Sequence, residues 1–218
     1  MIRQNYINAL NNLQDNILDM GRLVEGQIRD AVNSLVNLDL QLAEQVISKD
    51  EKINEYELVI EESILKLIAT QQPIASDLRR IAAGFKIITD LERMGDNAVD
   101  IAKTIIRIGD EPLIKPLIDI PRMAEITQKM LNQALESYIK GDVGMAETLS
   151  AQDDVVDGLH AQIIRELVSY MLENPKTIKQ ATHLMFVSRF LERIADHTTN
   201  IGENVIYMIT AERKDLNE

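Results

Sequence analysis

The stretch Leu91-Glu92-Arg93-Met94-Gly95-Asp96-Asn97-Ala98-Val99-Asp100 returns as Leu191-Glu192-Arg193-Ile194-Ala195-Asp196-His197-Thr198-Thr199-Asn200. Leu, Glu, Arg and Asp recur, Gly95 answers Ala195, and Asp100 answers Asn200. A repeat of this kind in one chain points to a duplicated supersecondary unit. At ~100° per residue, Phe85, Glu92 and Val99 share one side of a helix, with Ile88, Gly95 and Ala102 on the adjoining line. Glu92 therefore interrupts an apolar stripe, and Asp96 and Asp100 follow one and two turns on. In the second copy Met185, Glu192 and Thr199 share the line, beside Ala195 and Gly202. The small residues let a neighbouring backbone come close. A carboxylate buried without a partner is costly, so either cations of the protein or a metal must neutralise each row.

The rest of the chain reads as helix. Ile7, Leu10, Leu13, Ile17, Val24, Ile28, Ala31 and Leu35 recur at helical spacing and predict a first helix from about Arg3 to Leu38. A second runs from about Leu42 to Ala69 on the stripe Val46, Asp50, Ile53, Glu57, Ile60, Ile64 and Leu67. Gln72-Pro73 ends it, and Pro73 suits the first turn of a third helix, about Ile74 to Ile108. Gly109 to Pro121 holds Pro112, Pro116 and Pro121, so it reads as a linker. A fourth helix from about Arg122 to Lys140, a fifth from about Val143 to Glu173 and a sixth from about Lys176 to Arg213 follow. Gly141-Asp142 and Asn174-Pro175 punctuate them.

The expected fold is all-α, with six long helices in two tandem three-helix bundles: residues 1–108, a linker at 109–121, and residues 122–218. Helices joined by short turns run antiparallel. Asp50 should then lie near Glu92 and Asp96, and Asp153 near Glu192 and Asp196. Asp50-Glu51-Lys52-Ile53-Asn54 answers Asp153-Asp154-Val155-Val156-Asp157. Helices of ~30 residues are ~45 Å long, so each bundle is elongated.

Two readings of the acids stand. One is a carboxylate cluster in each repeat that binds metal, since hard oxygen ligands suit Mg, Ca, Mn or Fe. The other is a set of ion pairs with Arg79, Arg80, Arg93, Arg189 and Arg193. A lone E-x-x-x-D on a helix is common, but two matched copies, each faced by a second acidic pair, favour metal. The candidates are Asp50, Asn54, Glu92, Asp96 and Asp100 in the first repeat, and Asp153, Asp157, Glu192, Asp196 and Asn200 in the second. Asn54 and Asn200 are neutral where the other copy has Asp, so the two sites are expected to differ in metal count or affinity. His160 reads as a core or interface histidine, His183 as one on the polar face, and His197 as pointing away from the ligand row.

Composition limits the remaining classes. The chain has 218 residues, 45% hydrophobic and 27% charged, long enough for a sizeable core. A formal net charge of −12 argues against a general nucleic-acid binder and against a surface held to anionic lipid by charge alone. Cysteine is absent, so there are no disulfides or thiolate metal sites. No signal-peptide core is present, and no apolar run approaches the ~18 residues that span a membrane. These features suit a cytoplasmic protein. No nucleophile elbow, phosphate loop or Ser/His/Asp set is found, so no enzyme is expected.

Two tandem three-helix units, each with E-x-x-x-D on the third helix and D-x-x-x-(N/D) on the second, resemble the PhoU family over essentially the whole chain. The resemblance implies a cytoplasmic, non-enzymatic negative regulator of high-affinity phosphate uptake and of the phosphate-starvation response. It implies contacts with the transporter's ATPase subunit and with the sensor histidine kinase at the membrane, dimer formation, and iron, zinc or magnesium at the acidic motifs. Peripheral membrane association would follow if bound cations softened the negative charge. The rivals are a ferritin-like di-metal oxidase, which would need two carboxylate-x-x-His motifs in one four-helix bundle, and a metal-free helical adaptor. Asp157-Gly158-Leu159-His160 supplies only one such motif.

Overall fold

The computed structural model describes residues 2–217, with side chains from Tyr6 onward. It is helical throughout, with no strand among the described residues. Helices α1 (Ile2–Asn37), α2 (Leu40–Gln71) and α3 (Ala75–Ile108) form the first unit. Helices α4 (Asp119–Lys140), α5 (Val143–Glu147), α6 (Leu149–Glu173) and α7 (Ile178–Thr210) form the second, with a 3-10 turn at Pro175–Thr177 before α7.

Local chemistry explains the boundaries. Asp39 caps α2 by accepting from the Leu42 amide at 2.9 Å. Gln72 closes α2 in the left-handed conformation, and Pro73 prevents continuation. Gly141, at φ 64°, closes α4, and Asp142 caps α5 through the Met145 amide.

The second helix runs two residues further at each end than the sequence expectation, and four other boundaries differ for reasons the structure shows. The linker is shorter at its far end, because α4 starts at Asp119 and accommodates Pro121 in its first turn, where a missing N–H leaves no bond unmade. The fifth helix is interrupted at Thr148: Gln133 of α4 donates to the Met145 carbonyl at 2.9 Å, and the Thr148 hydroxyl donates to the same oxygen at 2.8 Å. Side chains thus take an acceptor that the helix ladder would use. The sixth helix starts late, after the Thr177 hydroxyl has bonded the Tyr170 and Asn174 carbonyls. It also ends at Thr210, because Ala211 turns into the left-handed region at φ 64°.

Helices α3 and α7 are the long central pair, and they run antiparallel. Arg79 Nε donates to the Met208 carbonyl at 3.4 Å near one end of the pair. Asp90 lies 3.1 Å from His197 Nδ1 and accepts from Asn200 Nδ2 at 3.3 Å near the middle. At the other end Gln180 holds the linker, accepting from the Ile114 amide at 2.6 Å and donating to the Pro112 carbonyl at 3.1 Å. Helices α1 and α2 pack on α3, α4 and α6 pack on α7, and α1 also touches α4. The two units therefore share one continuous apolar core, running from Leu13 and Ile17 through Ile87 and Leu91 to Leu184 and Leu191.

Candidate metal centres

The repeated motif sits mid-helix on α3 and α7, where each faces the second helix of its own unit. In the second unit Asp153 comes from α6, and Glu192 and Asp196 come from α7. Asp153 and Glu192 are buried, at 6% and 9% exposure, while Asp196 is half-buried and Asp157 is exposed. Burial pushes the Asp153 carboxyl up to about 7, and the charges of Asp157, Asp196, Glu192 and Asp154 push the same way. Burial and then the Asp196 charge raise Glu192 to about 6, against Arg189. Burial and the Asp157 charge also raise Asp196. The structure thus gathers Asp153, Asp157, Glu192 and Asp196 into one electrostatic cluster between two helices.

The first unit is looser. Asp50 on α2 accepts from Gln27 Nε2 at 3.3 Å. Arg93 pairs with Glu92 at 3.4 Å and with Asp96 at 3.1 Å. Burial raises the Glu92 carboxyl, followed by the charge of Asp96, and more weakly by those of Glu57 and Asp50. Glu57 was not among the sequence candidates, although its place in the α2 stripe one heptad beyond Asp50 was a readable signal. Its counterpart on α6 is His160, whose Nδ1 lies 3.0 Å from Ser188 Oγ and whose pKa is lowered by burial and by Arg189. The remaining candidates lie apart from the clusters. Asn54 is exposed. Asp100 pairs with Lys103 on its own helix. Asn200 turns to Asp90 across the α3–α7 contact, as His197 does.

Among the described residues no three acids or histidines lie close enough together to hold a metal ion as they stand. Two features nevertheless fit a cation in the second unit. Asp153 Oδ1 and Glu192 Oε2 are buried oxygens that no donor reaches. Glu192 spends its other oxygen on Arg189, whose side chain is about half exposed. Among the described residues the first unit has no orphaned acidic oxygen; beside its acids the buried unpaired atom is Gln27 Oε1. Small residues fit the same picture. A Cβ on Gly95 would stand 3.2 Å from both Gln27 Oε1 and Ile53 Cδ1, so its absence lets the residues around Asp50 close on α3.

A family model described as the PhoU domain matches the chain twice, at residues 17–105 and 120–205. The chain is 40% identical, over 100% of both sequences, to a Clostridium acetobutylicum protein described as a phosphate-specific transport system accessory protein PhoU homolog. Its fold is similar to the crystal structure of PhoU from Pseudomonas aeruginosa, with a TM-score of 0.90, 36% identity, and coverage of 95% of this chain and 100% of that one. It is also similar to the phosphate transport system regulatory protein PhoU from Streptococcus pneumoniae, with a TM-score of 0.90, 28% identity, and coverage of 96% and 99%. No helix among the described residues is long and apolar enough to cross a membrane.

Proposed function

The chain belongs to the PhoU family, and from that premise we propose that it is a non-catalytic accessory protein that restrains phosphate-specific transport. The observation that carries the reading is the match of both halves to one domain model, together with a relative of the same length described as a transport accessory protein. The finer reading is a cytoplasmic homodimer that touches the ATPase subunit of the transporter and the phosphate sensor kinase, and so lowers uptake and the starvation response. Co-purification of the tagged chain with the ATPase subunit and the kinase, with and without EDTA, tests it. Retention of neither partner under either condition would sink the partner assignment.

Metal binding belongs to the same proposal. In the second repeat Asp153, Asp157, Glu192 and Asp196 would hold the ion. In the first, Asp50, Glu92 and Asp96 would do so, with Glu57 in reach. A bound iron, zinc or magnesium ion would supply the positive charge that the orphaned oxygens of Asp153 and Glu192 lack. The acids would have to release protons first, so occupancy would rise with pH. The arginine pairs on Glu92, Asp96 and Glu192 favour a second reading, a metal-free helical adaptor. Elemental analysis of protein purified without chelator decides between them, and a metal content no greater than that of an acid-stripped control would leave the adaptor.

A further inference from the structure

The junction of the two repeats has two ends, and among the described residues only one is filled by a backbone segment. At the far end Gln180, buried near the start of α7, holds the linker backbone with both atoms of its amide. Arg80 occupies the equivalent position of α3, as Leu91 does to Leu191. Among the described residues no backbone segment bonds it in the same way, although Tyr6 of α1 lies in the field of its guanidinium. Instead, the start of α3 and the ends of α4 and α7 border an open pocket of ≈ 300 Å³.

The pocket gathers donors. Arg79, Arg80 and Lys140 line it with the acid Asp77. Lys140 also pairs with Glu136, and Arg79 Nε donates to the Met208 carbonyl. That leaves Arg80 as the cation with a spare donor, in a chain whose formal net charge is −12. Arg80 Nε is buried and has no hydrogen-bond partner, and no ion pair joins Arg80 to an acid among the described residues. The hydroxyl of Tyr138, a fully buried residue behind the pocket wall, is likewise without a partner and lies against Gly84, one turn along α3 from Arg80. The guanidinium of Arg80 acts on this phenol, so the two groups lie in one neighbourhood. The first turn of α3, Ser76 and Asp77 included, borders the same space, and no side chain caps it. Uncapped amides at the start of a long helix attract anions, and arginine forks match tetrahedral oxyanions.

We propose that this pocket binds a phosphate-type oxyanion, held by Arg80 and Tyr138, with Arg79, Lys140 and the α3 amides around it. The linker amide and carbonyl that satisfy Gln180 have their counterpart here in a ligand. The source is a free anion or an exposed phosphate headgroup, and the two share this chemistry.

The test uses the full chain stripped with EDTA, so that anion binding through metal at the acidic clusters is removed. Inorganic phosphate is titrated by calorimetry, and vesicles of phosphatidic acid in phosphatidylcholine are compared with phosphatidylcholine alone. Arg80→Gln installs the side chain that the fold already carries at the equivalent buried position, and Tyr138→Phe keeps the core shape. Binding should weaken about tenfold or more in Arg80→Gln and by several-fold in Tyr138→Phe, because a charged and a neutral hydrogen bond are lost. Lys52→Gln, in a separate basic groove between α1 and α2, should leave binding unchanged. Loss with free phosphate assigns a soluble anion, and loss with vesicles alone assigns a headgroup. Absence of binding to both probes, or equal weakening by Lys52→Gln, overturns the proposal.

Discussion

The carboxyl of Asp153 on α6 lies in the field of Glu192 on α7, and each of the two buries an oxygen that no donor reaches. Their pKa values stand at about 7 and about 6, raised first by burial. A raised carboxyl pKa means that the folded chain binds protons more tightly than the unfolded one. Its stability therefore falls as pH rises from the unfolded value near 4 through the folded value near 7. Chelator-treated protein should be more stable at pH 5 than at pH 7.5 by urea titration. Asp153→Asn should flatten that slope and stabilise the metal-free protein at pH 7.5 by about 1–2 kcal/mol. One pKa unit is worth about 1.4 kcal/mol, and water around Asp157 and Asp196 relieves part of the penalty. A wild-type stability that climbs between pH 5 and 7.5 would contradict this.

The metal reading predicts an asymmetry between repeats. The acids of the first unit are already served by Gln27 and Arg93, whereas those of the second retain unpaired oxygens. The second site should hold metal more tightly. Asp153→Asn with Glu192→Gln should remove most of the metal that survives gel filtration. Glu92→Gln with Asp96→Asn should remove less. The reverse order, read by elemental analysis, would count against the assignment.

Gln180 secures the linker with both amide atoms while buried at 6% exposure. Gln180→Leu keeps the volume and deletes both bonds, leaving the Ile114 amide and Pro112 carbonyl to water. A cost of about 1–3 kcal/mol is expected. Limited proteolysis should then cut within residues 109–118 faster than in the wild type, and an unchanged rate would show that the linker is held by other contacts.

Gly202 lies where the chain end folds back. A Cβ there would stand 2.7 Å from Leu149 Cδ1, 3.1 Å from Leu216 Cδ1 and 3.3 Å from the Ala146 carbonyl. Gly202→Ala should cost about 1–3 kcal/mol through overpacking. Adding Leu216→Ala should recover less than the full loss, because the Ala146 backbone and Leu149 remain. Thermal unfolding of the single and double variants measures both effects.

Much of this was legible without coordinates. The duplicated motif, the 3.6-residue period and the punctuation at Gln72-Pro73 and Asn174-Pro175 specify an all-α chain of long helices, because these are local or self-repeating signals. The acids in apolar stripes single out Asp50, Glu92, Asp153 and Glu192 for the same reason. Tertiary structure decided the rest. The break at Thr148 depends on Gln133 of another helix, and the placing of Asn200 depends on Asp90, both far away in sequence. Which carboxylates meet a donor and which are left bare depends on where Gln27, Arg93 and Arg189 come to rest. Those side chains come to rest only after α1, α2 and α6 have packed, and no periodicity within one helix encodes a partner on another.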